Sequence, residues 1–205
     1  HTVVDAYRDA FDTRLQEKFN AKALTLWPFG PQVFYCNEPI ETLADLAGKK
    51  VRSFTPSMSA MLESLGATPV TLQFSEVYPA LPRGVVSCGV TSPPSGNTGN
   101  WPEVTTHQLP LSVSGSVQGH FINLDTWNGF SAEEQAALEA EFQTLEDQLW
   151  DLAVSANEDA VACNTGADSC TDHKAFDMTL VEIGAEDRDR IKEVAETVVL
   201  PMWKE

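Results

Sequence analysis

KKVRSFTPSMSAMLESLGATPVTLQFSEVYPALPRGVVSCGVTSPP, residues 49–94, reads as strand, helix, strand, helix, strand. Val51-Arg52-Ser53-Phe54 is a short apolar strand interrupted by one charge. Thr55-Pro56 then opens a helix, because a threonine side chain caps orphan N–H groups and proline suits the first helical position. Met58, Met61, Leu62 and Leu65 follow at helical spacing until Gly66. Val70-Thr71-Leu72 is the second strand, Ser75 to Leu81 the second helix, and Val85 to Thr91 the third strand. This alternation implies parallel strands joined by crossover helices, hence an α/β fold. In such sheets ligands bind beyond the carboxyl ends of the strands, where Arg52 and Thr91 both fall. A planar guanidinium just before a helix N-terminus is a receptor for a carboxylate or phosphate. The competing reading is an ordinary surface ion pair with one of 30 acidic residues.

Composition narrows the function. The chain has 205 residues, 42% hydrophobic and 21% charged, enough for one large domain. Its net charge, 13 − 30 = −17, disfavours nucleic acid and anionic membranes as partners. No apolar run approaches the ~20 residues that cross a bilayer. Cys163 and Cys170 close a short polar loop, and a disulfide there would contribute about 2–3 kcal/mol on the chain-entropy model. Zinc is disfavoured, since only His173 is near and there is no Cys-x-x-Cys pair. Asp168 and Asp172 lack the spacing of a calcium loop, so no metal and no cofactor is expected. Cys36 and Cys88 sit in strands and are read as buried thiols, with a second bridge as the alternative.

The remaining chain supplies supports. Val4 to Phe19 is an amphipathic helix through Val4, Tyr7, Phe11, Leu15 and Phe19. Strands are expected over 23–29 and 32–37, with Gly30-Pro31 as a turn or a crossing between lobes. Residues 92–102 are a Gly/Pro/Asn-rich structured loop. Strands over 105–111 and 116–123 flank Ser112-Val113-Ser114-Gly115, a bend and candidate hinge. Ser131 and Glu134 have capping-box spacing before a long helix to about Ala160 that carries no Lys or Arg, a solvated acidic face. A last strand, 178–181, and a helix, 187–199, follow, with Trp203 folding back. His107 and His120 have no evident nucleophile beside them and are read as structural.

Four motifs also carry a resemblance: LADLAGKKVR at Leu43–Arg52, LGATPV at Leu65–Val70, FSEVYPAL at Phe74–Leu81, and Gly84-Val85-Val86. Their order and spacing resemble the DctP-type solute-binding proteins of TRAP transporters. The resemblance implies a periplasmic-binding-protein-like lobe of class II type, with a largely parallel or mixed sheet flanked by helices and a long bracing helix. It implies that residues 1–30 are a remnant of a first lobe or crossover segment, 31–123 the ligand-binding lobe, and 124–205 the bracing helix, cysteine loop and C-terminal helix. It also implies that the match begins partway through the family's usual chain, with the signal peptide and most of the N-terminal lobe expected to be missing from this sequence.

The implied function is not enzymatic: a periplasmic receptor captures an organic acid between two lobes and hands it to membrane subunits, without entering the membrane itself. Arg52 would anchor the carboxylate and Phe74 would line the pocket. Where the family often has a second arginine, this chain has Gln32, either a neutral contact or an exposed strand residue. Where the family has an asparagine after the third strand, Thr91 stands here. Both departures favour a monocarboxylate over a plain dicarboxylate. Trp101 is a pocket wall or a loop pin, and Asn97 a polar candidate. The rival class is an α/β hydrolase or transferase with a Ser or Cys nucleophile. Against it, the chain lacks a Gly-x-Ser-x-Gly elbow, and Cys88 is the one nucleophile worth naming. An acidic assembly module is the third option.

Overall fold

The structure, a computed structural model, describes residues 2–204. Contacts divide them into two compact units, one holding the chain up to Phe29 with Ser116–Ser155, the other holding Gly30–Gly115 and the chain from Ala156 on. In order come α1 (Thr2–Phe19), β1 (Ala21–Cys36), a 3-10 turn (Leu43–Leu46), β2 (Lys50–Ser53), α2 (Pro56–Ser64), β3 (Thr68–Thr71), α3 (Phe74–Ala80) and β4 (Cys88–Thr91). Then follow α4 (Pro93–Thr98), a 3-10 turn (Trp101–Glu103), β5 (His107–Asn123), α5 (Leu124–Asn128), α6 (Ala132–Asn164), β6 (Thr179–Leu180) and α7 (Ala185–Val194).

The six strands form one mixed sheet in the order β3-β2-β4-β1-β5-β6. The trio read from residues 49–94 is parallel, with β2 between β3 and β4. β1 runs antiparallel to β4, pairing Val33 with Thr91 and Cys36 with Cys88. That last pair is joined by a disulfide, its Cα atoms 4.1 Å apart, which corrects the expectation of free thiols. The physical reason is register: Asn37 N–H donates to Ser87 O in the next position, so Cys36 and Cys88 form the close, non-hydrogen-bonded pair of an antiparallel ladder. Cys163 and Cys170 are bonded as expected.

In the second unit the sheet is covered on both faces. One side buries Phe34, Cys36, Val51, Cys88 and Val90 against Met58, Met61 and Leu62 of α2, with Val194 of α7. The other buries Val33 and Tyr35 against Val77, Leu81 and Trp101. Each fully buried large side chain contributes about 1.5–3 kcal/mol. α2 begins as its sequence requires, with Thr55 Oγ1 accepting from Met58 N–H at 3.2 Å and Pro56 as the first helical residue. Gly66 ends that run with φ +78°, a left-handed conformation that costs glycine nothing.

The first unit gathers α1, the start of β1, the end of β5, α5 and most of α6, up to Ser155. Its polar centre is Glu146, which is buried, accepts from Leu26 N–H at 2.7 Å and pairs with Arg8. The long helix is therefore not a uniformly solvated acidic face. Ser131 and Glu134 do make the expected capping box, each accepting from the other's backbone N–H. His120 is structural, its Nδ1 2.8 Å from Thr25 Oγ1 and its ring 4.8 Å from Trp27. Phe19 is exposed rather than on the buried stripe of α1.

Four local expectations change. β1 runs unbroken through Gly30-Pro31, since proline's fixed φ is compatible with extended backbone and costs only an N–H donor. β5 likewise runs unbroken through Ser112–Gly115. Residues 93–98 are helical because Ser92-Pro93 repeats the Thr55-Pro56 start signal, with Ser92 Oγ accepting from Ser95 N–H. Trp203 stays 77% exposed and does not fold back.

Candidate functional site

Arg52 lies across the carboxyl ends of the parallel trio. Its Nε donates to Leu72 O, just past β3, at 3.0 Å, and its Nη1 donates to Val90 O of β4 at 2.7 Å. These anchors follow from β2 being central: a side chain leaving its last turn meets the end of a strand on either side. The residue is 4% exposed, and burial pushes the guanidinium down to about 10, still cationic at neutral pH. Among the described residues no carboxylate lies within ion-pair distance of it, so the surface ion-pair reading is not what the fold contains. A guanidinium has five N–H donors, and two are used. Nη2 has no protein partner among the described residues, yet it is not sealed from solvent.

The surroundings are aromatic. The Phe54 ring lies 4.6 Å from the guanidinium carbon and the Trp101 ring 5.9 Å from it. Phe74 stacks on Trp101 at 5.2 Å and an interplanar angle of 22°. Trp101 is fully buried, while Phe54 and Phe74 remain 41% and 40% exposed. Gly89 makes room for this arrangement, since a Cβ there would stand 2.7 Å from Trp101 Cζ3. Phe54 was not among the sequence candidates. It was findable, because residues i and i+2 of a strand share a face and Arg52 precedes it by two.

The other candidates separate. Thr91 is buried at the end of β4, directly after the Val90 carbonyl that holds Arg52. Gln32 is also buried, not an exposed strand residue, and its amide donates to Gly30 O at 3.1 Å. It precedes Val33, the partner of Thr91, so the pleat sends Gln32 and Thr91 to opposite faces. Asn97 is committed to protein: its Nδ2 donates to Asn164 Oδ1 and to Lys174 O, both at 2.8 Å, and its Oδ1 accepts from Lys174 N–H at 3.2 Å. The sulfur of Cys88 is spent in a disulfide, which removes the one named nucleophile of the enzyme reading. A cavity of about 650 Å³ lies elsewhere in the second unit, among Leu43, Leu65, Asp187 and Arg190. It contains none of the candidates, and Arg190 there is already tied to Glu193 and to Ser64 O. Among the described residues there is no cluster suited to a metal, and no helix is long and apolar enough to cross a membrane.

The chain and its fold have relatives among known proteins. The chain is 30% identical over 185 residues to the C4-dicarboxylate-binding periplasmic protein DctP of Rhodobacter capsulatus, covering 88% of this chain and 53% of that one. It is 29% identical over 124 residues to the ectoine-binding periplasmic protein TeaA of Halomonas elongata, covering 60% of this chain and 36% of that one. The chain thus spans about half the length, or less, of these curated relatives. Among solved structures, a Bordetella pertussis extracytoplasmic solute receptor binding pyroglutamic acid superposes with a TM-score of 0.84 at 21% identity, over 99% of this chain and 64% of that one. A TRAP periplasmic solute-binding protein from Desulfovibrio salexigens with bound orotic acid gives 0.81 at 20% identity, over 96% and 60%. These likenesses establish the fold as that of TRAP periplasmic binding proteins, and the relatives are receptors rather than enzymes. The model of the bacterial extracellular solute-binding protein family 7, DctP, matches residues 5–205, and the chain belongs to that family.

Proposed function

We propose that this chain is the solute-holding part of a periplasmic TRAP-type receptor, and that it takes an organic acid by its carboxylate at Arg52. The observation that carries the reading is a buried guanidinium with no carboxylate partner among the described residues, unspent donors and aromatic rings around it. Such a group is costly to leave unpaired, and a bidentate carboxylate satisfies it with two charge-assisted bonds of about 1.5–3 kcal/mol each. Phe54 and Phe74, both partly exposed, supply flat apolar surface for the body of the acid, Trp101 backs Phe74 from within the core, and Thr91 stands at the strand end. Asn97 is not a ligand contact in this reading, because its amide is used within the protein.

The ligand class follows from charge. One buried cation at the strand ends neutralises one carboxylate, and Gln32 brings none. A monocarboxylate with a planar or partly apolar body fits better than a C4-dicarboxylate. Structural relatives hold both kinds, orotic acid and pyroglutamic acid on one side and L-malate on the other, so the assignment rests on Arg52 and Gln32 of this chain. The membrane subunits of a TRAP transporter are the expected recipients of the solute. A thermal-shift screen of the full-length protein tests the reading with orotate, pyroglutamate, glucuronate and malate. A ligand at 100 times its Kd stabilises by about 2.7 kcal/mol, which shows as a rise in Tm. A flat response to every acid would sink the proposal, and a response to malate alone would sink the monocarboxylate assignment.

A further inference from the structure

The segment carrying Trp101 is held from the far end of the chain. Asp159, in α6, gathers residues 171–173 onto one carboxylate. It accepts from Thr171 N–H and Oγ1, both at 2.7 Å, from His173 N–H at 2.9 Å, and lies 2.6 Å from His173 Nδ1. The Cys163–Cys170 disulfide closes the loop leading into this segment. Lys174 follows at once and makes the grip. Its peptide bonds both ends of the Asn97 amide, and its Nζ donates to Glu103 Oε1 at 2.6 Å and Asn100 Oδ1 at 3.3 Å. A second strut runs alongside: Asn164, fully buried, donates to Tyr35 Oη at 2.8 Å, and the Tyr35 ring meets Trp101 edge-on at 5.7 Å. Residues 97–103 are therefore attached to 159–174 at three side chains, and Trp101 lies inside that span.

We propose that Asp159, the Cys163–Cys170 loop and Lys174 form a clamp whose task is to position Trp101 over Arg52 and against Phe74, so that Asn97 and Asp159 are positioning residues for solute binding. A loop meant only to close the end of α6 would need neither the paired Asn97–Lys174 amide contacts nor a buried asparagine bridging to Tyr35. In so far as it concerns affinity, this rests on the Arg52 reading above. The position of Trp101 itself is a separate, ligand-free observable.

The test uses the full-length protein labelled with 5-fluorotryptophan, whose Trp101 fluorine resonance is assigned by Trp101→Phe. Asn97→Ala, Asp159→Asn and the double variant Cys163→Ser/Cys170→Ser are compared with the parent. The clamp predicts that the Trp101 resonance moves or broadens while those of Trp27, Trp127, Trp150 and Trp203 stay. An unmoved Trp101 resonance in the folded variants overturns it, and so does uniform change of all five, which would mark a general structural element. With orotate as probe, the variants should lose about tenfold in affinity, chiefly through faster dissociation. Unchanged dissociation of orotate from Asp159→Asn overturns the role in binding. If instead Arg52→Ala leaves orotate affinity intact while Trp101 responds to the clamp variants, the receptor reading fails and the clamp stands.

Discussion

Replacing Arg52 separates two roles that one side chain performs. In the protein it ties Leu72 O and Val90 O, the ends of two strands, by bonds of 3.0 and 2.7 Å. Each such bond is worth about 1 kcal/mol net, and removing the buried charge relieves part of its own desolvation. Arg52→Ala should therefore destabilise by about 1–2 kcal/mol, lowering Tm by roughly 2–8 °C, and leave the protein folded at room temperature. For the solute, losing two charge-assisted bonds at the low end of their range removes about 3 kcal/mol, roughly a hundredfold in Kd. Arg52→Lys keeps the charge but not the fork, and should lose about tenfold. Titration calorimetry with orotate, run well below each variant's Tm, reads both numbers. An unchanged Kd in Arg52→Ala refutes the anchor, and full affinity in Arg52→Lys refutes bidentate recognition.

Further outcomes follow from groups away from the site. Converting both Cys36 and Cys88 to alanine opens a closure spanning 52 residues. It should cost about 4 kcal/mol on the chain-entropy model, seen as a lower urea midpoint, and a loss under 1 kcal/mol would contradict that account. Glu146→Leu strands the Leu26 N–H and leaves Arg8 unpaired. The expected loss is about 3–5 kcal/mol, part of it restored by adding Arg8→Met; equal losses in single and double variants would show that the pair is not coupled. Gln108 is fully buried, and its amide N and O have no hydrogen-bond partner among the described residues. Gln108→Met should raise the urea midpoint by about 1–3 kcal/mol of added stability, and a decrease would mean the amide has a partner after all.

The parallel trio was legible because its signals agree at every level: alternating apolar runs, a capped helix start, and glycines where helices end. The position of Arg52 at the strand ends is legible for the same reason, since its charge lies at the end of an apolar strand just before a helix start. Phe54 was legible in principle, through strand alternation. The antiparallel approach of β1 was not, because nothing within residues 32–37 states which strand they pair with, and the Cys36–Cys88 bond depends wholly on that pairing. Continuity of β1 and β5 was missed because Gly30-Pro31 and Ser112–Gly115 look like turns, although the unit boundaries fall at Gly30 and Gly115. The role of Asn97 is not legible, because a polar loop residue near a site carries no mark of its partner. Asn164 and Lys174, which take it up, lie 67 and 77 residues away.

The cross-strand bond between β1 and β4 also inspects the fold as it forms. Slipping the two strands by one residue would turn one sulfur to the other side of the sheet, beyond reach of its mate. Oxidation can thus seal only the alignment that sets Val90 O where Arg52 meets it. Refolding from the reduced state, quenched at intervals with an alkylating agent, should yield this linkage only in molecules whose near-UV dichroism is already native.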